Sequence, residues 1–429
     1  MRDHRLPSSP GFWRSPLRGP RFTAVLGIVL LVGITVLFVT GLLSYAAYNP
    51  NLSPVNDKTP DKGILGFYLF SWPTNPYWLY RLNQGVHVTL GITLIPVLLA
   101  KLWSVVPRLF TLPPARSLAH ALERLSLLLL VGGALFQFTT GVLNVQLDYV
   151  FPGSFYTLHF YGAWVFFAAF VAHVALKLPT ALRNLRRLRA EKPENAGKPE
   201  NVEKPENAEK PEDSDLVTPR PAEPTVSRRG AFGLVGGASL LLFATSVGRN
   251  FDGPLRQTAL LTPHGGPEPG SGPGGFQINK TAAYAGIDTR ETAGDAWQLV
   301  VTGRTGVVRL SREDLLRLPL HSAALPIACV EGWSTSDQWW RGVRLRDLAA
   351  LVGYDDPADV LVESLQRRGA FRRAALRANQ VADPRSLLAL DVNGEPLTLD
   401  HGYPARIIVP AAPGVLNTKW VARMTFGDL

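Results

Sequence analysis

Two sets of residues in this 429-residue chain carry side chains suited to redox chemistry. One is four histidines, His87, His120, His159 and His173, each in or beside a long apolar run. The other is Cys329, the only cysteine. Ionisable groups within apolar spans are costly and usually functional. His159 and His173 share one run; at helical periodicity they fall within about 40° of the same face and about 21 Å apart along the axis. A lone cysteine makes no intramolecular disulfide, and no Cys/His spacing suggests structural zinc, so its bland reading is a small buried hydrophobe.

The elements that must position the histidines are helices. Apolar runs of bilayer-spanning length cover about 22–47, 83–106, 124–147 and 156–177, with a weaker, glycine-rich fifth at 230–248. The first is long and has no small-residue cleavage site, so it is expected to stay in place rather than be removed as a signal peptide. Arg2, Arg5, Arg14, Arg18 and Arg21 precede the first run, Arg108 and Arg116 follow the second, and Arg183, Arg186, Arg187 and Arg189 follow the fourth. Residues 148–155 carry no Lys or Arg. This asymmetry predicts a multi-pass plasma-membrane protein with a cytoplasmic N-terminus and, after five spans, an extracytoplasmic C-terminal half. That topology matches His87 in depth with His159, and His120 with His173. Two imidazoles from different helices are what a b-type haem requires, and two such pairs would stack one or two haems across the membrane. Gly91 and Gly162 lie one turn beyond His87 and His159, where a porphyrin needs a close approach. Interhelical hydrogen bonding or proton relay remains the competing account of these histidines. Residues 22–178 resemble membrane-anchored di-haem cytochromes b in general pattern.

Charge supports a membrane partner rather than a nucleic acid. The net charge is +10, but residues 250–429 hold 19 basic and 19 acidic side chains, so the excess lies among the apolar runs. Only 18% of residues are charged. A Lys-Pro-Glu-Asn unit recurs at 192–195, 198–201 and 204–207 and decays to Lys-Pro-Glu-Asp at 210–213, which reads as a solvated linker. Ser227-Arg228-Arg229-Gly230-Ala231-Phe232 either anchors the fifth span or resembles a twin-arginine export signal, with Phe232 one place late.

Beyond a Gly/Pro-rich spacer, strand patterning appears at 297–302, 360–364 and 406–409, and Ser311 caps a short helix at 312–317. Between these elements stand Ala328-Cys329-Val330-Glu331-Gly332-Trp333-Ser334 and Trp340-Arg341-Gly342-Val343-Arg344-Leu345. Later come Asn393-Gly394-Glu395-Pro396-Leu397, His401-Gly402-Tyr403-Pro404-Ala405-Arg406, Val409-Pro410 and Gly414 before Lys419-Trp420. On these motifs, residues 276–429 resemble the sulfite-oxidase superfamily of molybdopterin-dependent oxidoreductases. The resemblance implies that Cys329 is the thiolate ligand of molybdenum. It also implies that His401, Arg406 and Lys419 cradle the pterin and its phosphate, with Asn279 and Ser364 as further contacts. Sulfite oxidases proper carry an additional dimerisation domain beyond this point, and their arginine cluster near the cysteine is not recognisable here. The Glu-Gly-Trp-Ser continuation is closer to the bacterial branch related to methionine-sulfoxide reductases, which work with a separate haem-bearing membrane subunit. Arg367 and Arg368 either greet an anionic substrate or form a solvated surface pair.

The expected architecture is an all-α membrane bundle of four spans plus a fifth, followed by an α+β sulfite-oxidase-type domain. Its parts are a basic tail (1–21), a cytochrome b-like domain (22–178), a linker (179–227), a fifth span (228–249), a spacer (250–275) and the molybdopterin domain (276–429). The expected function is oxygen-atom transfer on a small sulfur- or nitrogen-containing substrate, coupled through b-type haem to quinone. A non-catalytic electron-transfer or sensory protein with a degenerate pterin domain is the rival.

Overall fold

The computed structural model describes residues 7, 12–13, 15, 17–52, 70–110, 117–144, 155–190, 225–261 and 272–429. The Lys-Pro-Glu-Asn repeats, and with them the expected linker character, lie outside the described residues.

Five helices follow from the five apolar runs: α1 (Pro20–Ala47), α2 (Leu79–Val105), α3 (Leu118–Leu143), α4 (Phe155–Ala190) and α5 (Arg228–Val247). By length and composition all five can cross a membrane. Two of them outrun the apolar stretch that marked them. The third begins at Leu118 rather than near 124, and the fourth continues through the Arg183–Arg189 run to Ala190. Leu, Ala and Arg are all strong helix formers, so propensity carries the helix past the end of its apolar stretch.

The chain divides into two compact units. The first comprises 1–36, 91–139 and 161–242, and is held by close helix contacts. Arg18 lies over the Trp103 ring at 4.1 Å, and Lys101 Nζ donates to the Thr23 carbonyl at 2.6 Å. Gly133 lies against Phe166, where a Cβ would come within 3.3 Å of that residue's backbone.

The second unit comprises 37–90, 140–160 and 243–429. Its C-terminal part is built on two five-stranded sheets. In the first, β1 (Gln298–Gly303) and β2 (Gly306–Ser311) form a hairpin. Parallel to β1 runs β10 (Val421–Phe426), which pairs antiparallel with β5 (Val360–Ser364), itself paired with β6 (Arg373–Leu376). The second sheet orders β3 (His321–Leu325), β4 (Gln338–Arg344), β7 (Leu387–Val392) and β8 (Glu395–Pro396), with β9 (Arg406–Ile408) also on β7. Leu299, Val301, Val362 and Met424 of the first sheet share one core with Val343, Leu388, Leu390 and Ile407 of the second. The opposite face of β7 packs Leu387 and Ala389 against Phe276, Trp340 and Ile408. A strand buried on both faces needs no polar alternation, which is why Leu387–Val392 escapes a period-two reading. The expected α+β class therefore holds for this region, as does the short helix Arg312–Arg317 with Ser311 and Asp314 as its capping box.

Candidate functional site

Cys329 lies in the loop between β3 and β4. The loop closes on itself: Cys329 N–H donates to Trp333 O at 2.8 Å, and Gly332 N–H to Cys329 O at 3.1 Å. Gly332 takes φ +85°, a turn that other residues make only under strain. Thr335 Oγ1 accepts from Ile327 N–H, fixing the loop's base. The Cys329 side chain is buried and faces a pocket shared with Asn279, Lys280, His401, Arg406, Thr418 and Lys419.

The cationic side of this pocket comes from segments far apart in sequence. His401 ends the turn Leu399–His401, Arg406 opens β9, and Lys419 precedes β10. Gly402, at φ +109°, lets them converge, since a Cβ there would lie 3.1 Å from both Arg406 and Lys419. Arg406 is buried, with Nη1 donating to His401 O at 2.9 Å and Nη2 to Asn417 O at 3.3 Å. Lys419 Nζ donates to the carbonyls of Lys280 and Asp400, each at 2.8 Å. The His401 ring stacks on Phe276 at 3.8 Å, and its Nε2 lies 2.8 Å from Gly274 O.

These groups are clustered and dehydrated. Burial lowers the His401 pKa to about 4 despite the Gly274 hydrogen bond, with the Arg406 and Lys419 charges adding to the drop. Burial, then Arg406 and Lys280, holds Lys419 well below the ordinary lysine value, and burial brings Arg406 down to about 9. Arg406 Nε and Thr418 Oγ1 are buried and make no hydrogen bond among the described residues. A buried cationic pocket with orphaned donors suits a polyanion, and a pterin phosphate has that chemistry. Burial, and then the Glu331 carboxylate, raises the Cys329 pKa well above its usual value. A bare thiolate is therefore disfavoured here, whereas a bound metal cation stabilises it. The residues present fit molybdenum–molybdopterin.

The structure thus brings Cys329, Asn279, His401, Arg406 and Lys419 together. Ser364 stands apart from the pocket lining. Its hydroxyl donates to Lys419 O at 2.7 Å and accepts from Gln366 N–H, so it positions Lys419. Arg367 is exposed and pairs with Glu291 and Asp288, the surface alternative. Lys280, Gln277, Gln366, Phe371 and Thr418 also line the pocket and carry no sequence signal that marks them.

The helical histidines form a second candidate site. The His87 and His159 rings lie 6.3 Å apart between centroids. Thr40 Oγ1 is 2.9 Å from His87 Nδ1, and Thr140 Oγ1 is 2.9 Å from His159 Nδ1. Gly41 meets His87 Cε1 and Gly141 meets His159 Cε1, at 3.3 and 3.4 Å from an ideal Cβ. A Thr-Gly step on α1 thus braces the histidine of α2, and the same step on α3 braces that of α4. This repeat, Thr40-Gly41-Leu42-Leu43 and Thr140-Gly141-Val142-Leu143, is visible in the sequence. The glycines that meet the rings, Gly41 and Gly141, are on the neighbouring helices. Gly162 instead accommodates Phe136 and Gln137. An iron bound by one nitrogen of each imidazole, at about 2 Å, places the ring centroids roughly 6 Å apart, so this pair fits a bis-histidine haem. The His120 side chain lies outside the described residues, so its expected pairing with the half-buried His173 is not placed.

Comparison with known proteins bears on the first site. Residues 286–428 match the family described as the oxidoreductase molybdopterin binding domain. Mitochondrial sulfite oxidase of Rattus norvegicus is 32% identical over 158 residues, covering 30% of this chain and 29% of that protein. The uncharacterized oxidoreductase YuiH of Bacillus subtilis (strain 168) is 33% identical over 131 residues, covering 30% of this chain and 65% of its own length. Nitrate reductase [NAD(P)H] of Hordeum vulgare is 37% identical over 94 residues, or 20% of this chain and 10% of the relative. The chain thus spans about 29% of the length of the sulfite oxidases it matches. The C-terminal third is thus similar to molybdopterin-binding oxidoreductase domains, those of sulfite oxidases among them.

Proposed function

We propose that this protein is a membrane-bound molybdenum oxidoreductase. It transfers an oxygen atom to or from a small sulfur- or nitrogen-containing molecule outside the cytoplasm and exchanges electrons with the quinone pool through b-type haem. The observation that carries the reading is the convergence of Cys329 with Asn279, His401, Arg406 and Lys419 in one buried pocket. Bound molybdenum–molybdopterin supplies two-electron oxygen-atom chemistry, and haem supplies single-electron transfer.

The chain's own residues do the rest. Cys329 would hold the metal, and the stiff 329–333 turn would fix its direction. Arg406, Lys419 and the neutral His401 would hold the pterin phosphate and exclude water from it. Beside them, Tyr48 stacks on Tyr156 at 5.1 Å and lies 6.1 Å from Phe371, a pocket residue, so aromatic side chains of the helical segments wall this side. His87 and His159 would ligate haem, with Thr40 and Thr140 fixing the ring tautomers.

The decisive measurement is molybdenum and iron per chain in detergent-purified protein from a molybdenum-replete host. About one molybdenum with one or two irons is expected. Iron without molybdenum would overturn the catalytic part, and molybdenum without iron the haem part.

A further inference from the structure

The apolar helices α1 and α2 meet along a row of polar side chains. On α2, Tyr80, Asn83, Gln84 and His87 stand at i, i+3, i+4 and i+7, so they share one face. On α1, Thr40 and Ser44 stand one turn apart. Thr40, Ser44, Tyr80, Asn83 and Gln84 are all buried. Thr40 Oγ1 lies 2.9 Å from His87 Nδ1, and the Thr40 carbonyl accepts from Asn83 Nδ2 at 2.9 Å. One turn on, Ser44 Oγ donates to Gln84 Oε1 at 2.9 Å and lies 3.4 Å from Tyr80 OH.

Most of these bonds stay within the helix pair, where buried polar groups act as interhelical glue. Gln84 does not stay there. Its Nε2 donates to the carbonyl of Val330, the residue after Cys329. One amide is thus used at both ends, by the helix that braces His87 and by the loop that carries Cys329. The loop is held close to α2 by packing as well. Ala328 shares a buried cluster with Tyr80, with Val330 packed against it, and a Cβ on Gly332 would come within 2.5 Å of Val88. Polar side chains inside apolar spans are costly and usually functional. A polar row that starts at His87 and ends on the Cys329 loop calls for a function that needs both ends.

We propose that Gln84 is the junction through which electrons pass between a haem held by His87 and a molybdenum held by Cys329. The inference deepens the function proposed above and rests on it. Electron tunnelling falls steeply with distance, and faster across a van der Waals gap than along bonds. From His87 to Cys329 the route is bonded throughout. It follows the α2 backbone, or the Thr40–Ser44 turn of α1, to Gln84, crosses one hydrogen bond to the Val330 carbonyl, and continues along the backbone to Cys329. Each passage is a one-electron exchange without proton or atom transfer: ferrous iron becomes ferric as the molybdenum side gains one electron, with quinol as the donor. Two passages match one two-electron oxygen-atom step. Gln84 touches neither metal, so it is a positioning residue.

The test uses full-length, detergent-purified protein and three variants. Gln84→Leu removes both hydrogen bonds, Gln84→Glu keeps the acceptor for Ser44 but loses the donor to Val330, and Asn83→Leu removes a bond that does not lead to the loop. In protein loaded with haem and molybdenum, a photogenerated flavin semiquinone reduces the haem, and haem absorbance then follows equilibration with molybdenum. Gln84→Leu is expected to slow that phase about tenfold, the scale of losing a link in a contiguous coupling network. Its haem spectrum, midpoint potentials and molybdenum content should match wild type. Gln84→Glu should also be slowed, and Asn83→Leu should keep the wild-type rate. A second readout needs no cofactor. Cys329 is the only thiol and is buried, so maleimide labelling reports opening of its loop. In cofactor-free protein Gln84→Leu should label about fivefold faster, the equivalent of one hydrogen bond of about 1 kcal/mol, while Asn83→Leu labels as wild type.

An unchanged electron-transfer phase in Gln84→Leu would overturn the proposal. So would equal slowing in Asn83→Leu, because packing of the helix pair would then set the rate. Unchanged labelling in Gln84→Leu would show that its amide does not hold the loop, which removes the junction. If Gln84→Leu fails to accumulate, Gln84→Glu decides, and a wild-type rate there overturns the proposal. Wild-type protein lacking haem or molybdenum would defeat the underlying reading, whereas wild type holding both with no equilibration phase would defeat this proposal alone.

Discussion

The pterin pocket and the histidine pair are both arrangements of buried polar groups, yet they are built in opposite ways. The pocket gathers single residues from at least four separated segments, at 279–280, 329, 401–406 and 417–419. Its precision comes from two sheets sharing one core, and from glycine turns such as Gly402 that let cationic side chains converge. The histidine pair instead uses one local device twice, a Thr-Gly step on the helix beside each histidine. A site assembled from many segments is fragile towards its central residue and tolerant at its rim. A site assembled from a repeat should respond equally to equivalent changes in either copy.

The sharpest break in that comparison is at Cys329. Cys329→Ser retains the cradle of Arg406, Lys419 and His401 but removes the soft thiolate. Turnover with an artificial electron donor should fall by at least about a thousandfold, the scale of losing an activated centre. Haem absorbance should stay intact. Turnover within about tenfold of wild type would remove Cys329 from the mechanism.

The next largest effect separates the two sites from the other direction. His159→Ala should abolish the bis-histidine haem spectrum and quinol-dependent turnover, while turnover with a donor acting directly on the C-terminal domain stays within about threefold of wild type. Loss of both activities together, in protein with full molybdenum content, would show that the pair serves the pocket's structure rather than electron supply.

Much of this was legible from residue order. Five apolar runs became five helices, and Cys329, His401, Arg406 and Lys419 met because each sits in a motif fixed by local turn chemistry. Ser364, expected as a further pterin contact, shows what residue order leaves open. It stands at the end of β5 beside the pocket segments, but its hydroxyl is spent on the Lys419 carbonyl. Lys280, Gln366 and Phe371 were missed because pocket membership between segments far apart in sequence leaves no periodic trace. The ring-contacting glycines were missed for a related reason. Helical periodicity reports which residues share a histidine's own face, whereas the backbone approaching that histidine belongs to a neighbouring helix.

A smaller effect probes the cationic pocket through stability. His401 titrates at about 4 in the folded protein against about 6.5 when exposed, so the unfolded chain binds its proton first as pH falls. Its contribution is fully present above pH 6.5 and is lost progressively between pH 6.5 and 4. The shift corresponds to about 3 kcal/mol at most. Urea unfolding of cofactor-free protein at pH 7.0 and 4.5 should show a loss of that order, and His401→Gln should flatten the dependence. An equally steep loss in the variant would place the pH sensitivity in other groups. Bound phosphate should oppose the loss, since an anion beside His401 raises its affinity for a proton.

The smallest predicted effect tests the repeat. In Thr40→Val and Thr140→Val a methyl replaces the hydroxyl at nearly constant volume, so each removes the hydrogen bond with an Nδ1, and Thr40→Val also removes the one its hydroxyl donates to the Leu37 carbonyl. A neutral hydrogen bond of this kind is worth about 1 kcal/mol, so each variant should keep its haem spectrum. An imidazole whose Nδ1–H has lost its acceptor is a weaker electron donor to iron, which favours the ferrous form and raises the midpoint potential. Because the two contacts have the same length and the same flanking glycine, the two single variants should shift the potential equally, and the double variant by the sum. Redox titration of the three variants in one detergent decides the matter. A shift confined to one threonine would mean that only one histidine depends on its brace, and that the Thr-Gly repeat is helix packing rather than ligand tuning.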